Sequence, residues 1–93
     1  MENDGIVYVG RKPVIKYILA CITLFHEGLD RIAIKARGKS IENAINVVES
    51  LRKFYMRDVE VYDIKLGSEI VRGINGGPRR VSTITIYLMR KSS

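Results

Sequence analysis

The chain has 93 residues, enough for one domain with a two-layer core and too few for two. Hydrophobic residues make up 46%, and 16 Lys and Arg against 10 Asp and Glu leave a net charge of +6. That composition excludes disorder except at residues 1–4 and 91–93, whereas the basic balance by itself is a weak argument for any partner.

A single cysteine, Cys21, excludes an internal disulfide and fits a reducing compartment. The longest apolar stretch, residues 14–25, is interrupted by Lys16 and Thr23 and falls short of the roughly 20 residues a membrane span needs. It also lacks the N-terminal setting of a signal peptide, so a soluble intracellular protein with no membrane partner is expected.

Residues 6–9 are a short β-branched and aromatic run ending at Gly10, which reads as a first strand. Pro13 follows, its fixed φ suiting the first helical position, and the helix is expected to reach about Glu27 and stop at Gly28. Its polar stripe is confined to Lys16, Thr23 and Glu27, with His26 at the margin. A helix so apolar around its circumference needs cover from the sheet and from a partner subunit.

Residues 31–37 alternate, with Ile32, Ile34 and Ala36 on one face and Arg31, Ala33, Lys35 and Arg37 on the other. Gly38 breaks this strand, and Ser40 is placed to cap a second helix, with Glu42 in its first turn. On that helix Ile41, Ala44, Ile45, Val48, Leu51 and Tyr55 share a face, and Val47 and Phe54 extend its edge. Phe54 there is either a contact for another chain or a cover for the sheet margin.

Residues 59–68 and 81–90 read as the longest strands. Ile84, Ile86 and Leu88 alternate with Thr83, Thr85 and Tyr87, whereas the apolar register of the earlier strand shifts between Val61 and Tyr62. Such a shift marks a bulge or a strong twist. Residues 69–80 carry the turn signal Asn75-Gly76-Gly77-Pro78 in a segment too long for a tight hairpin, so a long, flexible two-stranded arm is expected. The order βαβαββ predicts an α+β two-layer sandwich, two helices on a four-stranded mixed sheet.

Catalytic chemistry is missing from the pattern. Cys21 lies in the apolar face of the first helix and reads as core, and His26 reads as a capping or surface residue at a helix C-terminus. Neither has the partners of a catalytic pair, and metal-ligand spacing is absent. Gly38-Lys39-Ser40 matches the end of a phosphate-binding P-loop, but the glycine that motif needs five residues earlier is Ala33. No cofactor is expected.

The positive charge, by contrast, gathers at element ends. Arg11 and Lys12 precede the first helix, with Lys16 one turn in; Lys35, Arg37 and Lys39 surround the start of the second; Arg72, Arg79 and Arg80 lie on the arm. Cations at a helix N-terminus are unfavourable by about a few tenths of a kcal/mol each. A phosphate bound there would offset them, taking backbone N–H groups and basic side chains together. The plainer alternative is a pair of solvated loops.

Val9-Gly10-Arg11-Lys12-Pro13-Val14, then Lys35-Ala36-Arg37-Gly38-Lys39, then Arg80-Val81-Ser82-Thr83-Ile84 closely resemble the Alba family of archaeal chromatin proteins, in order and spacing, from about Ile6 to Lys91. The resemblance implies a fold like the C-terminal domain of translation initiation factor 3. It also implies a cytoplasmic, chromosome-associated homodimer that binds double-stranded DNA and RNA without sequence preference. In that family the loops matching residues 10–13 and 37–39 face the nucleic acid, and arms matching residues 72–80 reach along the minor groove. Where the family commonly has a first lysine open to acetylation this chain has Arg11, so control of that kind falls to Lys12. The family's dimer–dimer aromatic aligns best with Tyr55, while helical position favours Phe54; both stand as candidates.

The leading expectation is a protein that coats and compacts DNA and also binds RNA, as a homodimer or paired with a paralogue. The alternative is an RNA-binding subunit of a ribonucleoprotein such as ribonuclease P, for which Tyr8, Tyr17, Tyr55, Tyr62 and Tyr87 could offer stacking, although most read as core or interface. A nuclease is disfavoured by the missing metal ligands and general base.

Overall fold

The computed structural model describes residues 5–91. Its elements in chain order are β1 (Ile6–Tyr8), α1 (Val14–His26), β2 (Arg31–Arg37), α2 (Ile41–Ser50), β3 (Val59–Arg72) and β4 (Pro78–Arg90). A 3-10 turn, Gly38–Ser40, leads into α2, and a π turn, Leu51–Tyr55, leads out of it. The expectation of disorder at residues 1–4 and 92–93 lies outside the described residues. Lys91 is placed, its N–H donating to the Asp58 carbonyl at 2.8 Å.

The four strands form one mixed sheet in the order β1-β2-β4-β3, with β1 parallel to β2 and the other pairs antiparallel. Side chains alternate across it. Val7, Ile34, Ile86 and Leu88 point to the side where both helices pack, joining Ile18, Cys21, Phe25, Val47 and Leu51 in one core. Residues such as Tyr8, Lys35, Thr85 and Lys65, which stand opposite one another in the pairing, fall on the other face. This is the expected α+β two-layer arrangement.

Several local details differ from the sequence reading. Pro13 stands one position earlier than expected, as the residue before α1, with φ −57° and ψ 144°. Ser40 is already helical and its side chain makes no capping bond; the chain instead enters α2 through a 3-10 turn that starts at Gly38, φ +56°. The face of α2 is also rotated. Ala44, Val47, Val48 and Leu51 are buried, whereas Ile45 and Tyr55 are exposed. The π turn explains Tyr55: Met56 N–H donates to the Leu51 carbonyl, five residues back, at 2.7 Å. That wider turn carries Met56 into the core and swings Tyr55 out.

The expected bulge is present, since the β3–β4 register shifts between Val61 and Asp63. The arm is more regular than a loop. From Ser68 opposite Ser82 to Arg72 opposite Pro78 it is a paired two-stranded ribbon, beyond the last β2 pairing at Arg37 and Thr83. At its tip Gly76 adopts φ +86°, which glycine reaches without steric cost, and Gly73 N–H donates to the Gly77 carbonyl at 3.0 Å. The ribbon extends the molecule to 50 × 28 × 18 Å.

Candidate nucleic-acid interface

Because β1 and β2 run parallel, the chain leaves both at the same end of the sheet and enters a helix each time. Two side chains tie these exits together. Tyr17, one turn into α1, turns its hydroxyl back and accepts hydrogen bonds from the N–H groups of Gly10 at 2.9 Å and Lys12 at 3.1 Å. Asn43, in the first turn of α2, donates from Nδ2 to the Gly10 carbonyl at 2.9 Å and the Lys12 carbonyl at 3.4 Å. The loop bearing Arg11 and Lys12 is therefore held by both helices.

Arg11, Lys12 and Lys16 are exposed at the start of α1, and Lys39 is exposed in the turn before α2. These cations come together at one end of the molecule. Lys35 and Arg37 belong to a different surface, the helix-free face of the sheet. Arg37 is not free: its guanidinium donates to the Glu69 carboxylate at the root of the arm. The arm arginines divide as well. By the register of the ribbon, Arg72 and Arg80 share the helix-side face and Arg79 takes the opposite one. Phe54 and Tyr55 are both exposed on the π turn, and Lys53 Nζ lies 5.6 Å from the Phe54 ring centre.

Sequence reasoning assigned no role to Asn43 or Glu69, and it left Tyr17 among possible stacking residues. Tyr17 lies four residues after Pro13, so helical spacing turns it back toward the loop; that signal was readable. The Arg37–Glu69 contact spans the sheet and left no local trace.

Burial pushes the Cys21 thiol up to about 12, so it stays protonated within the core and is no nucleophile. His26 is exposed at the last residue of α1. Among the described residues, no three or more His, Cys, Asp or Glu side chains group where a metal could be held. No helix among them is long and apolar enough to cross a membrane.

The sequence model of the Alba family matches residues 5–68. A "DNA/RNA-binding protein Alba" from Methanocella arvoryzae is 39% identical over 90 residues, 97% of this chain and 94% of the relative. Among solved structures, Alba from Thermoplasma volcanium superposes with a TM-score of 0.88 at 40% identity, covering 92% of this chain and all of that one. Alba1 from Trypanosoma brucei superposes at 0.77 with 25% identity, covering 99% of this chain and 74% of its own.

Proposed function

The chain belongs to the Alba family, a family that binds nucleic acid rather than catalysing a reaction, and from that premise we propose that it coats double-stranded DNA and also binds RNA, reading phosphate and shape rather than sequence. The observation that carries this is the tied pair of basic loops. Arg11 and Lys12 are fixed by Tyr17 and Asn43 at the end of the sheet where Lys16 and Lys39 also stand. Holding cations at helix starts is unfavourable until an anion arrives. Among the described residues α1 and α2 carry no basic side chain beyond Lys16 and His26, so phosphate contacts from the loops would dominate over base readout by a helix.

The protein acts as a dimer on chromosomal DNA in the cytoplasm. Support for the dimer comes from Ile64, Leu66 and Ile70, which are exposed on the helix side of β3. Two copies would supply two loop pairs and two arms, and Phe54 and Tyr55 offer a further apolar contact between dimers. A second reading, an RNA-binding subunit of a ribonucleoprotein, draws on the exposed Tyr8 beside Lys35 on the helix-free face.

The test is duplex DNA binding as a function of salt. Affinity should fall steeply, log K dropping by roughly 0.9 per neutralised phosphate per decade of salt. Replacing Arg11 and Lys12 together by alanine should make that slope shallower by roughly 0.9 for each contact removed, with the fold intact and the melting temperature no lower than that of the wild type. An unaltered slope would take this loop out of the interface.

A further inference from the structure

The helix-free face of the sheet carries a hollow of about 510 Å³ that the basic loops do not account for. Tyr8, Lys35, Arg37, Glu69, Thr83 and Thr85 line it. Its size lies within the range of ligand clefts, roughly 300–1,000 Å³. The strand register arranges its side chains in rows. Tyr8 stands opposite Lys35, Lys35 opposite Thr85, and Thr85 opposite Lys65; one pair nearer the arm, Arg37 stands opposite Thr83 and Thr83 opposite Gly67. Thr83 packs closely over Gly67, where a Cβ would meet its Oγ1 at 3.1 Å.

The aromatic residues of this face are not equivalent. Tyr62 and Tyr87 already have neighbours: their rings are 5.9 Å apart, Arg31 lies 5.3 Å from the Tyr62 ring centre, and Lys65 Nζ lies 5.6 Å from that of Tyr87. Tyr8 has no such partner among the described contacts and is 71% exposed. An exposed ring beside a lysine, an arginine and two hydroxyls matches one nucleotide: base on ring, phosphate on cation, sugar on hydroxyl.

We propose that this hollow is a binding site for single-stranded RNA, in which Tyr8 stacks on a base and Lys35 and Arg37 take the flanking phosphates. Glu69 accepts one hydrogen bond from Arg37 and so anchors the guanidinium at the hollow, leaving its other donors for the ligand. The Thr83 and Thr85 hydroxyls give a 2′-OH both donor and acceptor partners, which favours ribose over deoxyribose. A duplex keeps its bases stacked internally and gains nothing from Tyr8. The site rests on the nucleic-acid reading above but uses a separate surface. It also stays open in a dimer built on Ile64, Leu66 and Ile70, which lie on the opposite face.

The experiment is fluorescence anisotropy of the full chain with three labelled probes: an oligouridylate, its deoxy counterpart and a duplex DNA of equal length. Tyr8→Ala should weaken oligouridylate binding by about tenfold, Tyr8→Phe should retain it, and neither should change duplex affinity. Crosslinking to iodouridine-substituted RNA should map to the peptide containing Tyr8. Unchanged RNA affinity in Tyr8→Ala, or an equal loss on duplex, would overturn the site while leaving the duplex reading intact. Equal affinity for the deoxy strand would overturn the choice of RNA. Failure of the wild type to bind duplex would sink the coating function instead, and Tyr8-dependent RNA binding would then still support the site.

Discussion

Tyr17 shows how one hydroxyl can hold the loop of a candidate binding surface in place. Its oxygen accepts from two N–H groups of the first loop, and Asn43 donates to two carbonyls of the same loop, so side chains supply what no secondary structure provides there. The loop must keep Arg11 and Lys12 at the positive end of α1 against their mutual repulsion, and these bonds resist its retreat. Replacing Tyr17 by phenylalanine keeps the ring packed and removes only the acceptor. Stability should fall by about 1–2 kcal/mol, since two hydrogen bonds usually worth about 1 kcal/mol each are lost. Amide exchange should accelerate at Gly10 and Lys12 while core amides stay protected, and duplex affinity should drop several-fold. Unchanged exchange at those two amides would mean that the loop is held by something else.

The arm is the element whose design is most exposed to test. Its ribbon leaves the sheet past Thr83 and presents Arg72 and Arg80 to one side and Arg79 to the other. A ribbon with arginines on both faces can straddle two phosphate walls of a groove, which a one-sided ribbon cannot. Replacing Arg72, Arg79 and Arg80 by alanine should shallow the duplex salt slope by roughly 0.9 for each engaged arginine and leave the melting temperature alone, since all three are exposed. A slope equal to that of the wild type would make the arm a bystander. The ribbon and its turn were legible in the chain because residues 75–78 punctuate an alternating pattern, and the bulge near Tyr62 was legible because the apolar register visibly slips. Strands and helices declare themselves through such local periodicity. The π turn did not. A helical wheel assumes 3.6 residues per turn, so it placed Tyr55 with Leu51, whereas the wider turn gives that inward position to Met56. The Arg37–Glu69 pair and the Asn43 tie were equally hidden, because each joins side chains that only the tertiary fold brings together. Charge clustering thus exposed the basic loops of the candidate site, but not the groups that hold them in place.

At the scale of the whole molecule, one edge of the sheet is unfinished. β3 is one of the two edge strands, and among the described residues nothing covers most of its length. Ile64, Leu66 and Ile70 are more than half exposed on its helix side, and Leu66 reaches 79%. A long edge strand with an apolar face invites pairing with other chains unless something occupies it. A second copy of the same surface satisfies that requirement by symmetry and buries apolar area in the way homodimer interfaces do. It would also explain why α1 is apolar beyond its buried stripe, with Ile15 and Leu19 exposed. Light scattering should therefore give the wild type a mass of about twice 10.6 kDa. Leu66→Glu, which places a charge in the middle of the apolar row, should shift the protein to a folded monomer. The consequence for binding follows from counterion release. The salt slope counts phosphates neutralised by one binding unit, so a monomer with one loop pair and one arm should show roughly half the slope of the dimer. A wild type that is monomeric at binding concentrations would overturn the dimer. A monomeric Leu66→Glu with the full slope would show instead that each chain grips DNA independently, and that dimerisation serves to bridge duplexes rather than to strengthen the hold on one.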